Sequence, residues 1–330
     1  MLILAKATLA LMIGFILSSF AGIIIIPQLK KIKAKQNISI FLKKEHGRKQ
    51  GIPTIGGIIF IVPTIVSLIF LLLTNKIEYS TNLVIVLVTF LLYGLLGFID
   101  DYLSIKKGNN IGLTEIQKLI GQTLIALVFF YLFIKSGNPT DLTITLFKFN
   151  IHFGWTYPVF ILLVLIATTN AVNLTDGLDG LSGGLSAIAF LAFGLISWGS
   201  TAIIGYESIA VFCFVLVGSL LGFLLYNAHP AKVFMGDTGS LALGGALAAV
   251  AIVTRHELSL IVVAGVFVVE TLSAIIQRFV GRYWGKRVFL MAPLHHHFEK
   301  LGWDERDIVK LFWAVGLILA MAAIIYGVWI

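Results

Sequence analysis

The chain has 330 residues, 58% of them hydrophobic and only 12% charged, where an ordinary soluble domain carries roughly a quarter charged residues. A soluble globular protein is therefore excluded, and repeated apolar runs of about 20 residues exclude a β-barrel, whose membrane strands are about 10 residues long and alternate. The formal net charge of +8 does not indicate a nucleic-acid partner, because the cations flank apolar spans instead of forming a patch of their own.

Ten apolar segments are expected to be membrane helices, at roughly 2–26, 54–74, 81–99, 116–135, 156–173, 183–200, 206–226, 239–255, 258–279 and 308–329. The first lacks the basic start and small-residue cleavage site of a signal peptide, and its cations follow in PQLKKIKAKQ, so it reads as a retained span. Between the fourth and fifth segments, LTITLFKFNIHF alternates apolar and polar residues, which predicts a small β-hairpin near 141–153. Cys213 is the sole cysteine and lies within an apolar run, so no disulfide or cysteine-ligated metal is expected. No soluble domain, low-complexity tract or repeat interrupts the pattern. The fold class is all-α and polytopic, a single membrane domain over 1–330.

Of the 24 Lys and Arg residues, all but Lys6, Lys76, Lys135, Lys148 and Arg255 fall in alternate gaps, the first, third, fifth, seventh and ninth. By the positive-inside rule those gaps are cytoplasmic, and both termini and the hairpin are external. The long basic gaps 27–53 and 280–307 then lie over the cytoplasmic face. Every acidic or histidine motif also falls in these gaps.

Those motifs carry the chemistry. Asp100 and Asp101 close the third span in FIDDYLS. Adjacent helical residues point about 100° apart, so both reach one site only near a frayed end. Acids there oppose the helix dipole, which argues against a merely solvated end. NLTDGLDGL puts Asp176 and Asp179 three residues apart in a Gly-rich turn where backbone amides can approach an anion, with Asn173 and Thr175 able to cap or contact a ligand. In NAHPAKVFMGDTGS, Asp237 beside Gly, Thr238 and Ser240 suits a metal–diphosphate site, although an N-cap would look similar. Phe234 in the same motif could stack on a base or simply be buried. PLHHHFEKLGW lacks the i, i+4 spacing of a helical zinc site, so His295 and His296 read as phosphate contacts or proton-transfer groups. Lys49 and Thr54 precede the second span, and Lys118 and Gln122 lie one turn apart in the fourth. Glu270 and Gln277 sit in the ninth, where an acid is expensive unless paired or facing a polar cleft.

RKQGIPTIGG, FIDDYLS, GLTEIQKLIGQ, NLTDGLDGL, NAHPAKVFMGDTGSLALGG, ETLSAIIQ and MAPLHHHFEKLGW occur in that order. Together they resemble the phospho-N-acetylmuramoyl-pentapeptide transferase branch of the polyprenyl-phosphate N-acetylhexosamine-1-phosphate transferases, essentially end to end. The resemblance implies transfer of phospho-MurNAc-pentapeptide from UDP-MurNAc-pentapeptide to undecaprenyl phosphate, giving lipid I and UMP. It further implies Mg²⁺, a homodimer of ten-span subunits among membrane lipids, and a site on the cytoplasmic face of a bacterial inner membrane. Asp237 is then the metal ligand, with Asp100 or Asp101 close by; Asp100 deprotonates or orients the lipid phosphate for direct attack, or else a carboxylate acts as nucleophile through a phospho-enzyme intermediate. Lys49, Thr54, Asn173, Asp176, Asp179, Asn227, Phe234 and Gln277 line the nucleotide and sugar site, with Ser240 beside them. Lys118, His295 and His296 contact phosphates. A sister enzyme using UDP-GlcNAc would share the carboxylates. A secondary transporter for an anionic solute would have similar helices, but its polar residues belong near the midplane.

Overall fold

The computed structural model describes residues 2–32, 49, 51–108, 112–144, 149–199 and 205–329. Twelve α-helices and one hairpin follow in chain order: α1 (Leu2–Lys31), α2 (Ile58–Leu73), α3 (Thr81–Lys107), α4 (Glu115–Lys135), β1 (Asp141–Ile144), β2 (Phe149–His152) and α5 (Tyr157–Thr175). Then come α6 (Leu181–Gly199), α7 (Tyr206–Asn227), α8 (Gly236–Val253), α9 (Glu257–Val263), α10 (Gly265–Trp284), α11 (Leu294–Lys300) and α12 (Glu305–Trp329). Among the described residues eight helices are long and apolar enough to cross a membrane, and α9 with α10 makes a ninth, bent by 77° at its break. The 16-residue apolar helix α2 occupies the place of the remaining expected span. Each of the ten expected segments is thus helical, and the hairpin forms antiparallel with Asp141 opposite His152.

Several boundaries shift by a few residues from the sequence expectation, and those around the acidic motifs bear on the site. Helix α3 runs on past residue 99 to Lys107, because Asp100 and Asp101 are satisfied inside the protein. Thr54 lies in the loop before α2, as its place ahead of the second span implied. Helix α8 starts at Gly236, so Asp237 sits in its first turn and does not act as its N-cap.

Helices α7 and α8 form the centre and are apolar and buried on nearly all faces. Close approach around them is set by small residues, as is usual where no hydrophobic drive separates helix from lipid. A Cβ on Gly218 of α7 would sit 2.0 Å from the Leu11 carbonyl oxygen of α1. At Gly97 of α3 it would sit 2.0 Å from the Asp237 carbonyl oxygen. The second contact brings the end of α3 onto the start of α8, and the site is built there.

Candidate active site

Asp101 reaches from α3 to the N-terminus of α8. Its carboxylate accepts from Thr238 N (2.9 Å), Thr238 Oγ1 (2.6 Å) and Asp237 N (3.2 Å). A helix start leaves its first N–H groups unpaired and carries partial positive charge, so a carboxylate from a neighbouring helix satisfies both needs. Gly236 has φ +71°, and a Cβ there would meet Asp101 Oδ2 at 2.5 Å and Thr54 Oγ1 at 2.6 Å. Thr54 is thereby packed beside the same carboxylate.

The α8 start aims Asp237 at a different set of groups. Its Oδ1 accepts from Asn173 Nδ2 at 2.8 Å, and its Oδ2 pairs with the Lys118 ammonium. Asn173 also donates to Ser240 Oγ at 2.8 Å, tying the end of α5 to α8. Asp100 accepts from Leu113 N at 2.8 Å, and its Oδ2 lies 3.5 Å from Lys118 Nζ. The two aspartates of FIDDYLS therefore take different partners without any fraying of α3. Lys118 is presented from a well-fixed helix start, because Thr114 and Gln117 form a reciprocal capping box at α4. One ammonium thus stands between two carboxylates that belong to different helices.

A second cluster lies nearby. Lys49 Nζ donates to Asp179 Oδ1 (2.8 Å) and to Glu305 Oε1 (2.5 Å). Asp179 Oδ2 accepts from Ala231 N (3.0 Å) and pairs with His229 Nδ1 (3.1 Å), and Asp179 N donates to Glu305 Oε1 (2.7 Å). Ligand atoms of Asp179, His229 and Glu305 all fall within 4.8 Å of one another. Their oxygens are already engaged by Lys49, His229 and backbone amides, so the group acts as an ion-pair network clamping four segments together. Half-buried Asp176 closes α5 between the two clusters. Its carboxyl is pushed up to about 8, first by desolvation and then by the charges of Asp237, Asp101 and Asp179, with Lys49 opposing.

Asn227 donates to Val233 O at 3.0 Å, and its buried Oδ1 has no partner among the described residues. Phe234 is half-buried, its backbone paired with Pro53 and Gly56. His296 Nδ1 pairs with Glu299 at 2.6 Å. His295 is buried against Glu270, with Nδ1 2.8 Å from Oε2. Gln277 is directed elsewhere: it accepts from Val288 N and Phe289 N, both at 3.0 Å, and so holds the segment after α10. His229, Glu305 and Arg278 were not singled out from sequence. His229 stood inside a quoted motif, and Glu305 lay just ahead of the last expected span at 308–329, but neither showed which carboxylate or cation it would meet.

Three cavities run on from one another across this face. One of about 380 Å³ is lined by Lys118, Gln122, Asn170, Asn173 and Arg278. It shares Asn170, Asn173 and Arg278 with a second of about 540 Å³, which adds Arg282 and Tyr283. The second shares Thr271 and Ile275 with a third of about 350 Å³, walled by apolar residues of α5, α9 and α10 such as Phe160, Ile261 and Phe267. A charged end and an apolar end are thus joined along the bent helix pair.

Comparison with known proteins accords with this geometry. The sequence profile of glycosyl transferase family 4 matches residues 83–255. A Bacillus licheniformis protein named phospho-N-acetylmuramoyl-pentapeptide-transferase is 47% identical over 97% of both chains. Proteins of the same name from Geobacillus thermodenitrificans (47%, 98% of both chains) and Bacillus subtilis (46%, 97% of both) are similarly close. At that identity and coverage, the chain belongs to the phospho-N-acetylmuramoyl-pentapeptide transferase family.

Proposed function

We propose that this chain transfers phospho-MurNAc-pentapeptide from its UDP carrier to undecaprenyl phosphate, forming lipid I and releasing UMP. The observation that carries this reading is the cavity series: at one end Lys118, which pairs with Asp100 and Asp237, and at the other the apolar walls of α5, α9 and α10. Such a site suits an amphiphile whose phosphate sits at headgroup level while its chain remains in lipid. A water-soluble acceptor would not require the apolar end.

An oxygen of the lipid phosphate attacks the β-phosphorus of the nucleotide-sugar. A new P–O bond forms, the bond from the β-phosphorus to the bridging oxygen breaks, and UMP leaves with that oxygen. Transfers of this kind depend on alignment and charge neutralisation more than on covalent help from the protein. Lys118, and Arg278 beside it, would hold phosphate oxygens. Asp100 Oδ2 lies 3.5 Å from Lys118 Nζ and beside the Asp237 carboxylate, where it can orient the attacking phosphate or take its proton. Asp101 has both oxygens engaged at the α8 start and serves to hold Asp237 in place. The hard oxygens of Asp237 and Asp100, facing one shared cation, fit Mg²⁺. When bound there, Mg²⁺ would supply neutralisation of the diphosphate and of departing UMP. The charge of its gaps supports a cytoplasmic position for the motif face, and the family resemblance supports a bacterial inner membrane and a homodimer.

The reading is tested with purified protein, undecaprenyl phosphate and Mg²⁺. UMP should appear with UDP-MurNAc-pentapeptide and not with UDP-GlcNAc. Release from UDP-GlcNAc alone would move the chain to the sister activity, and release from neither would refute the enzyme reading.

A further inference from the structure

Glu270 of α10 is fully buried, as is His295 of α11. A buried carboxylate costs several kcal/mol unless well paired. Among the described residues the Glu270 carboxylate is gripped by a single residue, twice: Oε1 accepts from His295 N at 3.1 Å and Oε2 faces His295 Nδ1 at 2.8 Å. A carboxylate partner requires the proton on Nδ1, which leaves Nε2 as the free acceptor nitrogen of a fixed tautomer. That Nε2 is buried and has no hydrogen-bond partner among the described residues. It is packed against the Asp176–Gly177 turn, where a Cβ built on Gly177 would lie 2.3 Å from it. Gly177 is thus the residue that makes room for the ring. Unsatisfied buried nitrogens are rare, and each costs of order 1–3 kcal/mol until a partner is supplied.

We propose that Glu270 is a positioning residue for the transfer reaction, holding His295 so that Nε2 is completed by a polar atom of the nucleotide-sugar donor bound at the Asp176–Gly177 turn. This rests on the transferase reading above. The arrangement follows the logic of a carboxylate orienting a histidine in hydrolases, where amide replacement of the acid turns the ring to the wrong tautomer. A plain staple between α10 and α11 would use the same bonds but would be indifferent to which nitrogen carries the proton.

Glu270→Gln separates the two. The amide keeps the size and can still accept from His295 N, but it presents N–H to Nδ1 and reverses the tautomer. Expected is a fall in kcat of about 100-fold, with KM within about threefold and melting temperature little changed. Glu270→Asp should recover part of the loss. In a His295→Ala background, Glu270→Gln should cost nothing further. Gly177→Ala, which leaves both charged groups in place but displaces the ring, should also lower kcat, and it carries the test if Glu270→Gln does not fold. Near-normal kcat in Glu270→Gln, or in Gly177→Ala where Glu270→Gln does not fold, would overturn the proposal. So would an undiminished penalty in the His295→Ala background. Wild-type protein that releases no UMP from either donor would instead indict the parent reading.

Discussion

Neighbouring aspartates in one sequence motif do different work here. Asp101 accepts three hydrogen bonds from the α8 start, whereas Asp100 retains an oxygen directed toward Lys118. Asp101→Ala should therefore destabilise the protein by about 2–4 kcal/mol, since bonds to charged groups count for more than neutral ones, and a thermal melt would register it. Asp237→Asn should leave the melt nearly unchanged while lowering turnover by about 100-fold or more; near-normal turnover would remove Asp237 from the metal site. Asp176 gives a pH signature. Its folded-state carboxyl is raised from 3.8 to about 8, so between those values the folded state holds a proton that the unfolded state has lost. Stability from this group then falls as pH rises from about 4 to about 8 and levels off above. In chelator, Asp176→Asn should raise the melting temperature over wild type more at pH 8 than at pH 5; an equal gain at both would contradict the shift. The sequence revealed all these carboxylates because charge is conspicuous among apolar runs. Their separate roles depend on which helix start or cation each one faces, which no spacing along a single chain encodes.

At the level of elements, the junction of α3 with α8 controls the site. The approach is possible only because Gly97 has no side chain, a Cβ there lying 2.0 Å from the Asp237 carbonyl oxygen. Gly97→Val should force the helices apart and lose both activity and stability, whereas a tolerated valine would mean that this packing does not set the Asp237 position. Helix periods and apolar lengths made all ten segments and the hairpin legible. Two features were not. The continuation of α3 to Lys107 depends on partners from α4 and α8 that pay the desolvation of two acids. The 77° break between α9 and α10 falls inside a stretch that reads as one apolar run. Both arms of the bend wall the apolar cavity, and α10 carries Thr271 and Ile275, which that cavity shares with its polar neighbour.

For the whole molecule, the central prediction of orientation concerns two surfaces. Trp155 beside the hairpin and Val288 after α10 are both exposed, and the native Cys213 is buried. In right-side-out vesicles an impermeant thiol reagent should label Trp155→Cys and spare Val288→Cys, with the reverse in inverted vesicles; labelling of both from one side would refute the alternating topology. The polar motifs lie at one end of the helices, which separates this chain from a transporter with a midplane site. The central claim is that the carboxylate end of the cavity series moves the β-phosphoryl group onto a lipid phosphate. It is tested most directly with UDP-MurNAc-pentapeptide carrying ³²P in the β-phosphate, incubated with the reconstituted protein and undecaprenyl phosphate. All transferred label should extract with the lipid while UMP is released unlabelled; label retained in the released nucleotide, or appearing as free phosphate, would contradict the account.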